Sequence, residues 1–283
     1  MQEIEEKAIT TYHNNLAYCQ KEHPALASKL TALDMLLNDG RYPTQYDLEY
    51  KEGYFDVKEL ATGNYLYKDN PQHLTQKILT NIDYKKNSNV LETFYNLSFS
   101  DAALEKVEAS DAFTVHATSA PIIHYCNSVV NPNMHMKHIY KHIILGTGLG
   151  LHLPELVAKV KAQTYFIVEE NLELFRLSLF TCDYATIFSN STLFFSVAEN
   201  DSEFKASFDA FYLNAFVRNH YLKFSLFNDT HTGKIKQMQS AIVSRPEIAY
   251  SHEYLLFKHD LLLQRIPLNY AFLDLSPKDT SSI

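Results

Sequence analysis

A glycine-rich turn followed by two carboxylates is the part of this chain whose residue types and spacing could do chemistry. The stretch 141–170 reads KHIILGTGLGLHLPELVAKVKAQTYFIVEE. A short apolar run leads into the glycines, an apolar pattern with helical spacing follows, and a second apolar run ends on two acids. This order predicts a strand–turn–helix–strand unit of the kind that binds nucleotide-type cofactors. The residues expected at such a binding site are Gly146, Thr147, Gly148, Gly150, Glu169 and Glu170.

The spacing of the glycines favours one kind of small-molecule site over another. Glycines turn the backbone sharply off a strand because they tolerate positive φ, and the next helix points unpaired N–H groups at the turn. Gly146, Gly148 and Gly150 read G-x-G-x-G, so the third glycine comes one residue early for the dinucleotide pattern. Such a turn with a late acid resembles motif I of the S-adenosylmethionine methyltransferases, although Leu145 replaces the acid that usually precedes the first glycine.

Two interpretations of the turn stay open at this point. Either it cradles S-adenosylmethionine or a related ligand, with an acid on the ribose, or its glycines serve only tight packing. Adjacent strand residues point to opposite faces, so at most one of Glu169 and Glu170 faces the turn, and the two are not expected to act as an acid/base pair. The chain has no G-x-S-x-G and no P-loop motif, so we assign no catalytic residue.

Composition excludes several classes of function. The 283 residues carry a formal net charge of −8, which argues against a nucleic-acid partner. Cys19, Cys126 and Cys182 are odd in number and form no C-x-x-C, so we expect no disulfide framework and no zinc site, as in a reducing cytoplasm. The acidic N-terminus does not resemble a signal peptide, and no apolar run is long enough to predict a membrane span.

The remaining histidines and charged side chains predict no further site. Three of four clustered histidines follow H-x-x-H-x-x-x-H, but no carboxylate or thiolate stands at a fitting distance for zinc. We expect no metal and interpret them as solvated histidines at helix ends; they are His124, His135, His138 and His142. Arg176 and Asp183 are expected to do no more than pair at the surface.

Apolar periodicity predicts a smaller N-terminal part before the glycine unit. Helices are expected over 2–20, 24–40 and 71–82. Period-2 alternation around 46–50, 55–57 and 65–67 predicts three short strands in an antiparallel meander.

The later pattern predicts a Rossmann-like α/β unit with a mostly parallel sheet and flanking helices. Strands are expected at 143–145, 165–168, 185–188 and 193–197, and near Phe113–Val115. Helices are expected at 101–108, 121–130, after a cap at Asn171, and at 201–216, 234–243 and 250–265. The expected domains are 1–85 with the N-terminal helices and the meander, 86–275 with the Rossmann-like unit, and a polar tail at 276–283.

The order of features over about the first 190 residues resembles the N-terminal region of the motility-accessory-factor (Maf) proteins. Four stretches carry the resemblance: YHNNLAYCQKEHPAL, YDLEYKEGYFDVKELATGNYLYKDNP, IILGTGLGLHLPEL and YFIVEENLELFRLSLFTCDY. It implies a Rossmann-like domain of a bacterial flagellin glycosyltransferase, which transfers a nonulosonic acid of the pseudaminic or legionaminic type to Ser or Thr. It also implies contacts with flagellin, its export chaperone or a second copy, or with a CMP-sugar.

The chain departs from this family in one respect. Maf proteins continue into a central domain with a G-x-G-P-S-L-type motif, which is thought to hold the transferase chemistry, and no such motif occurs here. We therefore expect a fragment of a longer chain or a stand-alone relative, and we carry over no catalytic residue. Three hypotheses stay open: an accessory domain in flagellin glycosylation, an S-adenosylmethionine-dependent enzyme, and an interaction module whose glycines serve packing.

Overall fold

The computed structural model describes residues 2–51, 53–68, 70–85, 89–91, 100–108, 115–129, 136–215, 218–219 and 222–243. The N-terminal elements are α1 (Gln2–Glu22), α2 (Pro24–Asn38), β1 (Tyr46–Lys51), β2 (Tyr54–Glu59) and α3 (Pro71–Asn81), followed by β3 (Val90–Leu91), α4 (Asp101–Glu108) and α5 (Val115–Val129). The later elements are β4 (Lys141–Leu145), α6 (Leu153–Val160), β5 (Thr164–Glu169), α7 (Leu172–Thr181), α8 (Tyr184–Ile187), β6 (Thr192–Val197), α9 (Asp201–Leu213), β7 (Leu222–Leu226), a 3-10 helix (Asp229–His231) and α10 (Thr232–Val243).

The main sheet has five strands in the order β3-β7-β4-β5-β6. The strands β7, β4, β5 and β6 run parallel, and the two-residue strand β3 pairs antiparallel to β7 at the edge. Every residue of β4 and β5 is buried, as expected for central strands covered on both faces. The predicted α/β class, with a mostly parallel sheet and flanking helices, is confirmed.

The two faces of the sheet bury separate apolar clusters. Ile144 and Tyr165 face the side that also holds Leu30 of α2, so the N-terminal helices share a core with the sheet. Ile143 and Phe166 face the opposite side, where α9 and α10 pack. On that side Phe204, Phe208, Phe211 and Tyr212 of α9 are buried, and the Phe166 and Phe211 rings stack with centroids 5.1 Å apart. Helices therefore cover the sheet on both faces.

Buried polar side chains join the N-terminal part to the sheet. The Asn15 amide of α1 donates to the carbonyls of Leu179 and Cys182 at 2.8 and 2.7 Å, and its oxygen accepts from the Tyr184 N–H at 3.0 Å. The buried carboxylate of Glu173 accepts from the N–H of Gln45 at 3.1 Å just before β1. The Asn15 bonds hold α1 against the end of α7 and the start of α8, and the Glu173 bond holds the start of the meander against α7.

Two predicted strands are wrong. The segment 185–188 belongs to the helical turn α8, because the Asp183 carboxylate caps its start by accepting from the Thr186 N–H at 3.0 Å. The third meander strand is reduced to a single bridge between Lys58 and Tyr65. Beyond it the Tyr67 N–H donates to the side-chain carboxylate of Asp56 in β2 at 3.1 Å.

The remaining predictions are in part wrong and in part untested. Val115 belongs to the helix α5 and not to a strand, while residue 113, helix 250–265 and tail 276–283 lie outside the described residues. The expectation of mere surface pairing is wrong for Arg176, whose Nε lies 2.5 Å from the Asp34 carboxylate with both side chains about one-fifth exposed. Asp183 is a helix cap instead. The boundaries at 85/86 and 275/276 stay predictions.

Candidate functional site

The glycine turn lies where the order of the parallel strands reverses. It follows β4, whose neighbours are β5 on one side and β7 on the other. The chain reaches β5 directly through α6 but reaches β7 only after β6 and α9, so the carboxyl end of β4 is the topological switch point of the sheet. Ligands of open α/β sheets bind at such points. The turn is therefore the place where a binding site would be sought first.

Positive φ angles make glycine necessary in this turn. Gly146, Gly148 and Gly150 have φ values of 86°, 49° and 72°, a region that residues with a Cβ rarely adopt. The turn itself is buried, and Thr147 has no exposed surface. A sharp, enclosed corner thus leads from β4 into α6.

Glu169, at the end of β5, ties the turn to the neighbouring strand. Its Oε2 accepts from the N–H and the hydroxyl of Thr147 at 2.9 and 3.1 Å, and its Oε1 accepts from the Asn171 N–H at 3.1 Å. The side chain is only 3% exposed. The acid expected to bind a ribose is in this structure a hydrogen-bond acceptor for the protein's own main chain.

Tyr67, from the segment after the meander, reaches the middle of the turn. Its hydroxyl accepts from the Leu149 N–H at 2.9 Å, and burial raises the pKa of Tyr67. The Gly146 N–H donates to the Val168 carbonyl and the Gly150 N–H to the Thr147 carbonyl, each at 2.8 Å. Four of the five N–H groups of the turn are therefore bonded within the chain.

Side chains that follow β7 cover the glycines. A Cβ on Gly148 would lie 2.6 Å from Cε2 of Phe227, and one on Gly146 would lie 2.5 Å from Nε2 of His231. The Phe227 ring stands edge-on to Tyr67, with ring centroids 5.8 Å apart. On the other side, a Cβ on Gly150 would meet the Cβ of Cys182 at 2.7 Å. The space that a missing Cβ leaves is filled by protein.

Glu170 points to the other side of the strand end from Glu169. Its Oε2 lies 3.2 Å from Nδ1 of the buried His231, and its Oε1 lies 3.9 Å from Nζ of Lys234. The Glu170 side chain is 48% exposed, while those of His231 and Lys234 are 6% and 10% exposed. Glu170 therefore reaches the turn only through the imidazole packed on Gly146, and the two acids do not converge.

His152 completes the surroundings of the turn at the start of α6. It occupies the N-cap position without a capping hydrogen bond from its side chain. The imidazole is 2% exposed, its ring centroid lies 5.5 Å from that of Phe227, and its Nδ1 has no hydrogen-bond partner. Burial lowers the pKa of His152 to about 4, so the ring is neutral at pH 7.

The structure brings all six predicted residues together around one turn, but sequence reasoning missed the side chains that fill it. Tyr67 belongs to the segment 65–67, which the alternation predicted as a meander strand and not as part of the site. Phe227 and His231 follow β7, whose sequence LKFSL alternates polar and apolar residues although all five positions are at least partly buried. An apolar residue directly after a strand that ends at the switch point is the signal that could have found Phe227.

The other predicted side chains lie away from the turn. His142 is fully buried in β4, so interpreting it as a solvated helix-end histidine is wrong; its Nε2 lies 3.1 Å from the Ser225 hydroxyl. His138 is exposed, His124 lies 3.3 Å from Asp101, and residue 135 is outside the described part. Within the described ranges, no three His, Cys, Asp or Glu side chains are grouped as metal ligands, and no helix is long and apolar enough to cross a bilayer.

Comparison with known proteins agrees with this class of fold, an α/β domain whose glycine turn sits at the switch point of a parallel sheet. The family model described as the Maf glycosyltransferase N-terminal domain matches residues 11–204. The chain belongs to this family. No curated protein matches it.

A solved structure shares the fold. The Maf glycosyltransferase from Magnetospirillum magneticum AMB-1 is 15% identical and superposes with a TM-score of 0.56. The match covers 83% of this chain and 35% of that one, so the chain corresponds to about a third of the solved protein.

Proposed function

We propose that this chain serves as an accessory, non-catalytic domain of a Maf-type glycosyltransferase system that attaches pseudaminic- or legionaminic-type sugars to flagellin. In this proposal the domain works in the cytoplasm, with flagellin or its export chaperone as protein partner. The glycine turn is then a packing joint and not a ligand cradle. The packing role is best supported by the hydrogen bonds of the turn: four of its five N–H groups already donate to acceptors within the chain.

A bound nucleotide is the competing proposal for the same residues. It assigns S-adenosylmethionine or a CMP-sugar to a cradle made of Gly146, Thr147, Gly148, Gly150, Glu169 and Glu170. To reach the main chain, a phosphate or ribose would displace the Phe227 ring from Gly148 and the Tyr67 hydroxyl from Leu149. Since breaking buried hydrogen bonds costs free energy, these contacts support the packing role.

Ligand titration decides between the two proposals. We expect neither S-adenosylmethionine nor a CMP-linked nonulosonic acid to give a heat of binding at about 1 mM, where even a weak specific site would be occupied. Thermal unfolding is the second readout, because a ligand at about 100 times its Kd stabilises the folded state by about 2.7 kcal/mol. Saturable binding of either compound would overturn the packing role.

Two variants show whether any such binding uses the turn. Gly148→Val blocks the turn but also crowds Phe227, so its loss of binding alone would be ambiguous. Glu170→Gln changes a half-exposed carboxylate with little effect on the core. Binding that both variants weaken, with the Glu170→Gln protein still folded, would assign the ligand to these residues.

The flagellin role is tested in a motile bacterium that carries the gene. Deleting the gene should remove the nonulosonic-acid mass from intact flagellin measured by mass spectrometry, and re-expression should restore it. The Glu170→Gln variant should restore it as well, because a packing role does not require this carboxylate. Flagellin of unchanged mass in the deletion strain would refute the proposed role.

A further inference from the structure

Strand β6 forms the edge of the parallel sheet beside β5. The Thr192 N–H donates to the Gln163 carbonyl and the Ala198 N–H to the Glu169 carbonyl, each at 2.9 Å. Because hydrogen bonding in a parallel ladder alternates along the strand, residues 194 and 196 also face β5. The N–H and C=O groups of Leu193 and Phe195 therefore point away from the sheet.

One end of this edge is closed and the rest is open. The Lys29 ammonium donates to the carbonyls of Val197 and Ala198, each at 3.4 Å. In the part of the chain that the structure describes, no hydrogen bond reaches the outward groups of Leu193 and Phe195. A row of unpaired donors and acceptors is a template for another strand.

A cleft of about 620 Å³ runs along the open edge. One wall, called here the aromatic wall, carries the rings of Tyr18, His23 and Phe188 from the end of α1, the residue after it and the residue after α8. The Glu22 carboxylate also lines the cleft. The other wall is formed by the small residues Ser207 and Ala210 of α9. The main chain of β6 from Thr192 to Phe195 lies between these walls.

The two faces of the strand meet different walls. The Phe195 ring lies edge-on to His23, with centroids 4.8 Å apart, so this face looks to the aromatic wall. The Phe194 ring contacts Phe211 of α9 on the opposite face, with centroids 6.0 Å apart. Side chains of an added strand would alternate in the same way. The aromatic wall fits apolar side chains, and the α9 wall fits small ones.

The recessed position of the edge argues against a second copy as occupant. Paired strands lie about 4.8 Å apart, and the edge of one copy could approach another only if the α1 and α9 walls of both copies entered the same space. A single extended chain carries no such walls, so it does not meet this obstacle.

We propose that the open edge of β6 binds an extended segment of a partner protein by strand addition. Main-chain hydrogen bonds to Leu193 and Phe195 hold the segment. Apolar side chains at alternate positions pack on the aromatic wall, and small or hydroxyl side chains face Ser207 and Ala210. Recognition by an exposed sheet edge with pockets for alternate side chains is a general mode of peptide binding. This inference does not depend on the proposed role of the glycine turn.

The direct test is amide hydrogen exchange with a defined probe. The probe is a fluorescein-labelled peptide of alternating valine and serine, and its control is the same peptide with N-methyl groups on the alternate amides that would face β6. Without peptide, the amides of Leu193 and Phe195 should exchange fast while those of Phe194 and Ser196 are protected. The probe should slow exchange at Leu193 and Phe195, and the N-methylated peptide should not.

A matched pair of variants locates the probe by fluorescence anisotropy. Ala210→Lys places a long side chain over the cleft and should weaken binding by about tenfold or more. Ala206→Lys makes the same change one turn earlier on α9 at an exposed residue outside the cleft. Its side chain leans toward the helix N-terminus, so the affinity should stay within about twofold of the unaltered protein.

Several results would overturn the proposal. Absence of binding, or equal weakening by both lysine variants, would remove the cleft as the site. Protection of Leu193 and Phe195 that rises with protein concentration alone would assign the edge to a second copy. Protection in the free chain at every concentration would mean that the edge is already occupied within the chain.

Discussion

The hydroxyl of Tyr67 accepts a hydrogen bond from the N–H of Leu149 at 2.9 Å, across 82 residues of sequence. Tyr67 comes from the segment after the meander, and Leu149 lies in the middle of the glycine turn. A side chain thus occupies a main-chain donor of the kind that binds a phosphate in nucleotide-binding turns. The meander and the switch point of the sheet are one structural unit because of this contact.

Tyr67→Phe tests this bond. The substitution keeps the ring against Phe227 but leaves the buried Leu149 N–H without its acceptor. We expect a loss of about 1–3 kcal/mol in the free energy of unfolding, which is the usual effect of a buried unsatisfied group. Urea denaturation measures it. Tyr65→Phe is the control, since the Tyr65 hydroxyl donates to the Glu49 carboxylate in a partly buried position. An equal loss of unfolding free energy in Tyr65→Phe would show that the bond to Leu149 contributes no more to stability than this partly buried one.

Glu169→Gln should destabilise the fold much more than Glu170→Gln. The glutamine would turn an amide N–H₂ toward the donors of Thr147 or Asn171, where the carboxylate accepted three bonds. We expect a cost of about 2–3 kcal/mol at Glu169 and at most about 1 kcal/mol at the half-exposed Glu170. Denaturant midpoints of both variants give the comparison. Similar costs at the two positions would contradict the assignment of Glu169 to the turn.

Gly148→Ala should cost more than Gly63→Ala. Both glycines have positive φ, at 49° and 71°, but a Cβ on Gly63 meets no atom within 4 Å while one on Gly148 meets Phe227. The left-handed conformation costs about 1–2 kcal/mol in both variants, and crowding should add about 1–3 kcal/mol at Gly148 only. The free energy of unfolding of each single variant and of the double variant Gly148→Ala/Phe227→Leu checks this. The leucine should recover part of the loss caused by Gly148→Ala. If the effects of the two single substitutions simply add in the double variant, the clash is refuted.

Acid should destabilise the protein through two buried histidines. Burial lowers the pKa of His152 to about 4, and burial with the nearby Lys223 charge lowers the pKa of His142 to about 3. In the unfolded chain both titrate near 6.5. Above about pH 6.5 both histidines are neutral in the folded and in the unfolded chain, and stability is not reduced. As the pH falls from about 6.5 toward 4, the unfolded chain binds protons that the folded chain does not, and the free energy of unfolding decreases by about 3 kcal/mol through His152.

Unfolding free energies between pH 7 and pH 4 measure the effect. His152→Leu removes one titrating group and should flatten the slope. An unaltered slope in His152→Leu would mean that the imidazole is not buried in its neutral form.

The glycine unit was predictable because local patterns dictate it. The buried run Ile143–Leu145, the turn glycines and the run ending at Glu169 each express a rule of strand burial or backbone conformation. Asn171 likewise caps α7, accepting from the Leu174 N–H at 2.9 Å. Such elements depend on neighbours within a few residues, so the sequence predicts them directly.

Long-range polar contacts explain what was missed. Strand β7 was not predicted, because Lys223 and Ser225 interrupt its apolar residues. Lys223 is nevertheless buried in β7, and its ammonium lies 3.4 Å from the Asp83 carboxylate. The segment predicted as a strand at 185–188 forms α8 because the Asp183 side chain caps the start of this helix. The filling of the turn by Tyr67 and Phe227 depends on partners more than 75 residues away from Leu149. A local pattern gives at most the position of Phe227 after a strand, and it does not encode the contact of either side chain with the turn.

The amide of Asn15 sets a condition on how the chain folds as it is made. Its three buried bonds reach residues 164 to 169 positions later in the sequence. At a synthesis rate of about 5–20 residues per second, the first helix waits roughly 10–30 s before its partners have even been synthesised. During that interval α1 lacks the part of its native cover that α7 and α8 provide. Nascent α1 is therefore a stretch that a ribosome-associated chaperone would need to shield.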